Sequence, residues 1–156
     1  MAEFLASSVY IVVAIEHEGD TAFDDLFTES HKNHIERIHD VVFVYQQLTE
    51  HSAIGKYIDK EHVPHIGHSF GGFTSFILAG GLSHLISEKL NKTVQSTLQN
   101  QLKCIVMLAP ALSETLNNQQ AKLSMPALLI TAEQDELLGA SPNQYLNHFN
   151  FIESIT

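Results

Sequence analysis

Between residues 65 and 72 the chain reads His65-Ile66-Gly67-His68-Ser69-Phe70-Gly71-Gly72, a serine with a glycine two positions before it and another two positions after. This Gly-x-Ser-x-Gly pattern fits a nucleophile elbow, a sharp turn between a strand and a helix that lifts the serine hydroxyl clear of the backbone. The requirement is steric. The serine backbone must take an unusual conformation, and Gly67 and Gly71 leave room where a Cβ would meet the neighbouring strand or helix. Gly72 adds a further point of close helix–sheet approach. The flanks agree, since Val63–Ile66 can form a short buried strand and Phe73–Leu78 begins an apolar helix; the bland alternative is an ordinary glycine-rich turn. A serine hydroxyl is a weak nucleophile and needs a base, normally a histidine oriented by a carboxylate. Behind an elbow the partners follow in the order Asp or Glu, then His. Asp135 lies just past the last apolar run, at the same sheet edge as Ser69, and is the natural acid. Glu133 and Glu136 are rivals in the same turn, and a solvated loop carboxylate is the competing reading. One oxyanion donor is expected to be the backbone N–H of Phe70, the residue after the nucleophile.

The chain carries ten histidines, and three of them merit a place near such a site. His148 is the only one after Asp135, but it falls in an expected final helix, where a surface or half-buried role is the simpler reading. His68 flanks the serine, with its side chain expected to point away from the attacking side. His17 sits at a strand end on the correct edge, so it is a site-lining candidate whose plain reading is a turn residue. The remaining histidines are scattered without metal-site spacing; His31 and His34 share one helix face but lack a third ligand. No zinc motif and no phosphate-binding glycine loop is present, so neither metal nor cofactor is expected. Cys104, the single cysteine, lies inside an apolar run and reads as a small buried hydrophobe that indicates no oxidising compartment.

The elements that would hold these residues follow from the apolar runs. Phe4–Ala6 read as the tail of a helix and Tyr10–Ile15 as a buried β-branched strand ending in the polar turn 16–20. A polar loop leads to an amphipathic helix from His34 to Leu48, with Ile35, Ile38, Val41, Val42, Tyr45 and Leu48 on one face. A connector near Gly55 then leads to Val63–Ile66 and the elbow. The next helix runs into Gly80-Gly81, and 82–102 form a second helical excursion that overhangs the site. Cys104–Ala109, closed by Pro110, and Ala127–Ala132 are the last two strands; 111–124 read as a short helix and loop, and Pro142 starts a final helix carrying Tyr145, Leu146 and Phe149. Four non-alternating apolar strands separated by helices imply an α/β fold, a parallel sheet with helices on both faces and functional residues at the carboxyl strand ends.

At 156 residues, 44% hydrophobic and 17% charged, the chain is expected to fold as a single domain over 1–156 with a real core. Its formal net charge of −10 argues against nucleic acid or an anionic membrane as partner, because both need a basic face. No apolar run spans a bilayer. Met1–Ser8 make a poor signal peptide, which leaves the cytoplasm as the default location.

Gly67-His68-Ser69-Phe70-Gly71-Gly72, preceded by Val12-Val13-Ala14-Ile15-Glu16-His17, resembles the α/β-hydrolase superfamily, and within it the dienelactone hydrolase-like and platelet-activating factor acetylhydrolase-like esterases. Arg37, Asp40 and the run Met125–Asp135 fit the same pattern, so the similarity covers nearly the whole chain. The resemblance implies a serine esterase that cleaves small or short-acyl esters through an acyl-enzyme on Ser69, with Asp135 orienting a histidine. It also implies strands and an oxyanion loop before Tyr10, and one further strand and then the catalytic histidine after the acid. Neither is seen in this sequence, so the expectation is a central fragment of such an enzyme or a shortened gene product. The rival expectation is a degenerate hydrolase-like domain that binds without turnover. A third is a homodimer in which two chains pair their open sheet edges.

Overall fold

The computed structural model describes residues 1–21, 23, 31–81, 86–112, 123 and 125–132. These fall into two compact units, Met1–Asp59 and Lys60–Thr156.

The first unit opens with helix α1, Ala2–Ser7. It ends where Val9 takes φ 71° and the Tyr10 N–H reaches back to the Leu5 carbonyl at 3.3 Å, the six-to-one bond of a left-handed helix stop. The expected strand Tyr10–Ile15 joins no ladder among the described residues. Its apolar side chains are instead turned largely outward, with Tyr10, Ile11 and Val13 59%, 50% and 46% exposed. An extended run becomes a strand only when a neighbouring strand takes its N–H and C=O groups, and among the described residues none pairs with it. Helix α2, His31–Glu50, begins and ends a little outside the expected limits and buries Ile38, Val41 and Val42, as the helical spacing foretells. Within this unit, a Cβ at Gly55, in the 3₁₀ turn Gly55–Tyr57, would stand 2.5 Å from the Thr49 carbonyl oxygen.

The second unit is built on a three-stranded parallel sheet in the order β1-β2-β3. Its strands are β1, Val63–His68, β2, Leu102–Leu108, and β3, Ala127–Ile130. All three were expected, at Val63–Ile66, Cys104–Ala109 and Ala127–Ala132. Parallel strands need crossovers, and β1 connects to β2 through α3, Phe70–Leu78, and α4, Glu88–Val94, whose Ser87 cap accepts the Leu90 N–H at 3.2 Å. A π-helical turn, Gln95–Gln99, continues α4, so the excursion after the elbow is indeed helical. The register aligns His65 with Ile105 and Ala127, and Gly67 with Met107 and Leu129, on one face. Helix α3 covers this face; Phe73, Phe76, Ile77 and Leu78 are buried with Ile105 and Met107. The opposite face carries Val106, Leu108, Leu128 and Ile130, and the last two are 54% and 52% exposed.

Candidate active site

β1 delivers Ser69 to the carboxyl edge of the sheet, and α3 starts on the next residue. The serine holds φ 53° and ψ −116°, a combination that costs a non-glycine residue on the order of 1–3 kcal/mol and persists only where the surroundings over-determine it. They do so here through four backbone bonds. The Ser69 N–H donates to the Leu108 carbonyl at 2.9 Å, and the Ser69 carbonyl accepts from Gly72 at 3.0 Å, Phe73 at 3.2 Å and Ala111 at 3.1 Å. The strand therefore hands its last ladder bond directly to the turn, and the helix takes over from the same residue.

Gly67 and Gly72 fill the steric role expected of them. A Cβ on Gly67 would lie 2.0 Å from the Gly71 carbonyl oxygen and 2.6 Å from the Gly72 nitrogen, so the two arms of the turn are in backbone-to-backbone contact. A Cβ on Gly72 would lie 2.7 Å from the Pro110 Cβ, the close approach of helix to sheet. Phe70 is the first residue of α3, so its amide lies at the helix end that carries partial positive charge. Its ring stands 6.4 Å from that of Phe73, tilted by 51°.

The three strands end together, with His68, Leu108 and Ile130 in register. Past them, Ala109 takes φ 40° and donates its N–H to the Ile130 carbonyl at 2.7 Å, tying the exits of β2 and β3. The chain that continues toward Asp135 thus leaves the sheet at the edge that presents Ser69. Asp135 and His148 both lie outside the described residues. His68, the last residue of β1, is exposed and, by strand alternation, faces away from the side of Gly67.

His17 is the turn residue of its plain reading, but a buried and partnered one. It is 7% exposed in a tight turn closed by its bridge to Asp20, and its Nδ1 lies 2.6 Å from Asp40 Oδ2 on α2. Beside it Asp20 Oδ2 accepts from Arg37 Nη1 at 2.5 Å and from Asn33 Nδ2 at 3.0 Å. Burial raises the Asp20 carboxyl, but the hydrogen bonds from Asn33 and Arg37, with the charge of Arg37 and His17, outweigh it and hold the group below its ordinary range. Arg37 and Asp40 enter the sequence analysis only through the family resemblance, without their partners; a signal that could have found these is their i, i+3 spacing on one helix downstream of a polar turn rich in Asp, Glu and His. Among the described residues no group of three His, Cys, Asp or Glu side chains could hold a metal ion. None of their helices is long and apolar enough to cross a membrane.

A parallel sheet whose strand delivers a serine at positive φ into the following helix defines the class: this is part of an α/β-hydrolase fold. More narrowly, residues 1–85 match the model of the prolyl oligopeptidase family, and the chain belongs to that family of serine hydrolases. No curated protein and no solved structure matches it.

Proposed function

We propose that the chain is a serine hydrolase of carboxylesterase type that cleaves small or short-acyl esters through an acyl-enzyme on Ser69. The observation that carries this is the backbone of Ser69 itself, φ 53° and ψ −116° at the junction of β1 and α3. No structural demand of a plain turn calls for a serine in so costly a conformation. The Ser69 Oγ attacks the acyl carbonyl carbon as a histidine takes its proton. The tetrahedral oxyanion is held by the Phe70 N–H at the positive end of α3. Collapse expels the alcohol, which leaves with that proton, and a water molecule then releases the acid by the reverse sequence. Asp135 orients the histidine from the loop after β3. His17 is not assigned to this step, because its Nδ1 and Asp40 already form a partnership within the first unit.

A second reading, peptide cleavage, is favoured by the family match, since that family is named for oligopeptidases. The test is covalent labelling of the purified chain with a fluorophosphonate probe beside Ser69→Ala, followed by turnover of p-nitrophenyl acetate and butyrate against a peptide p-nitroanilide. Labelling lost in Ser69→Ala together with ester turnover supports the first reading, and turnover of the anilide alone replaces it with the second. A folded chain that takes no label is a hydrolase-like domain without turnover, and both readings then fall.

A further inference from the structure

Two side chains with no role in that chemistry stand on opposite arms of the elbow. His65 is on β1 before Ser69 and Ser75 is on α3 after it. Ser75 is 0% exposed, and its Oγ lies 2.7 Å from His65 Nδ1 and donates to the Gly71 carbonyl at 3.0 Å. A carbonyl oxygen only accepts and Ser75 has one hydroxyl proton, so both bonds are made at once only when that proton goes to Gly71 and Oγ accepts from the ring, with His65 carrying its proton on Nδ1. A helix serine that merely bonds back to the carbonyl one turn earlier is common, but it needs no histidine from the strand beneath it. The far end of this relay is also the tightest point of the turn, since Gly71 O is the atom that a Cβ on Gly67 would meet at 2.0 Å.

We infer that the His65–Ser75–Gly71 hydrogen-bond chain is a staple across the elbow that sets the angle between β1 and α3, and with it the placement of the Ser69 Oγ and the Phe70 N–H. His65 is then a positioning residue, acting through Ser75 and Gly71. The inference rests on the reading of Ser69 as nucleophile for its effect on rate, but not for its effect on geometry.

The experiment compares His65→Asn with His65→Leu in the full chain. The two side chains have nearly the same shape, and only asparagine keeps a donor near the place of Nδ1. Long-range ¹⁵N–¹H spectra of the wild type report the His65 tautomer, amide spectra report the peptides of Ser69, Phe70 and Gly71, and fluorophosphonate labelling reports the rate. We expect the Nδ1–H tautomer, amide shifts at the three elbow residues in His65→Leu that His65→Asn largely restores, and labelling slowed by about 10- to 100-fold in His65→Leu, the order expected for a group displaced by up to an ångström. His65→Asn should label within about threefold of wild type on the same scale. A ring protonated on Nε2 alone, or elbow amides that move equally in both variants, overturns the staple. Wild type that takes no label overturns the nucleophile reading, while tautomer and amide shifts still decide the staple.

Discussion

Replacing Gly67 by alanine puts one methyl group where the backbone leaves no room for it. Its carbon would stand 2.0 Å from Gly71 O, 2.1 Å from Gly71 C and 2.6 Å from Gly72 N, all far inside van der Waals contact. None of these is a side-chain end that can swing aside, so β1 and α3 must move apart. Overpacking a core costs about 1–3 kcal/mol and sometimes more, and a clash against backbone on both arms belongs at the top of that range. For a chain of this length about 3 kcal/mol lowers Tm by roughly 6–12 °C. The same displacement carries Ser69 from its place, so labelling should fall by about 100-fold. Gly72→Ala is the internal control. Its methyl would meet the Pro110 Cβ at 2.7 Å and the Pro110 Cα at 3.0 Å, ring atoms that move only with the backbone of one loop, so a cost of about 1–3 kcal/mol is expected, below that of Gly67→Ala. The assay is a thermal melt by circular dichroism with probe labelling at 25 °C. Gly67→Ala that melts within about 2 °C of wild type and labels at the wild-type rate would refute the elbow geometry.

Ser69→Gly should melt higher than Ser69→Ala, by an amount reflecting about 1 kcal/mol of strain relieved at φ 53°, while neither variant takes the probe; equal melting temperatures would contradict the strain. The lowered Asp20 carboxyl stabilises the fold fully above its ordinary value of 3.8, and this contribution is lost as pH falls through the lower folded value. Hence the gap in urea midpoint between wild type and Asp20→Asn should be constant from pH 7 to about 5 and close below 4; a gap that widens on acidification has the wrong sign. Phe76→Ala, at a side chain 1% exposed, should cost about 3–5 kcal/mol in equilibrium unfolding.

The elbow was legible because its strain is local: a serine cannot hold that conformation beside a β-carbon at position 67, so the glycine is written next to it. The strands were legible as short runs bounded by turn residues, expected at Val63–Ile66, Cys104–Ala109 and Ala127–Ala132, and the structure moves their limits only to Val63–His68, Leu102–Leu108 and Ala127–Ile130. Tyr10–Ile15 is a run of the same kind and forms no ladder among the described residues, because strand formation is a property of a pair and one run carries no record of its neighbour. The acid remains a matter of position after β3, as Asp135 lies outside the described residues.

By itself, then, the sequence determined the fold class, the turn at Ser69 and the edge at which the strands end, all written in spacings of a few residues. Only the tertiary structure decided the partnerships of His17 with Asp40 and of His65 with Ser75. Each joins a loop or strand to a helix, and a contact of that kind is set by how two elements pack against each other. Neither element's own periodicity records it.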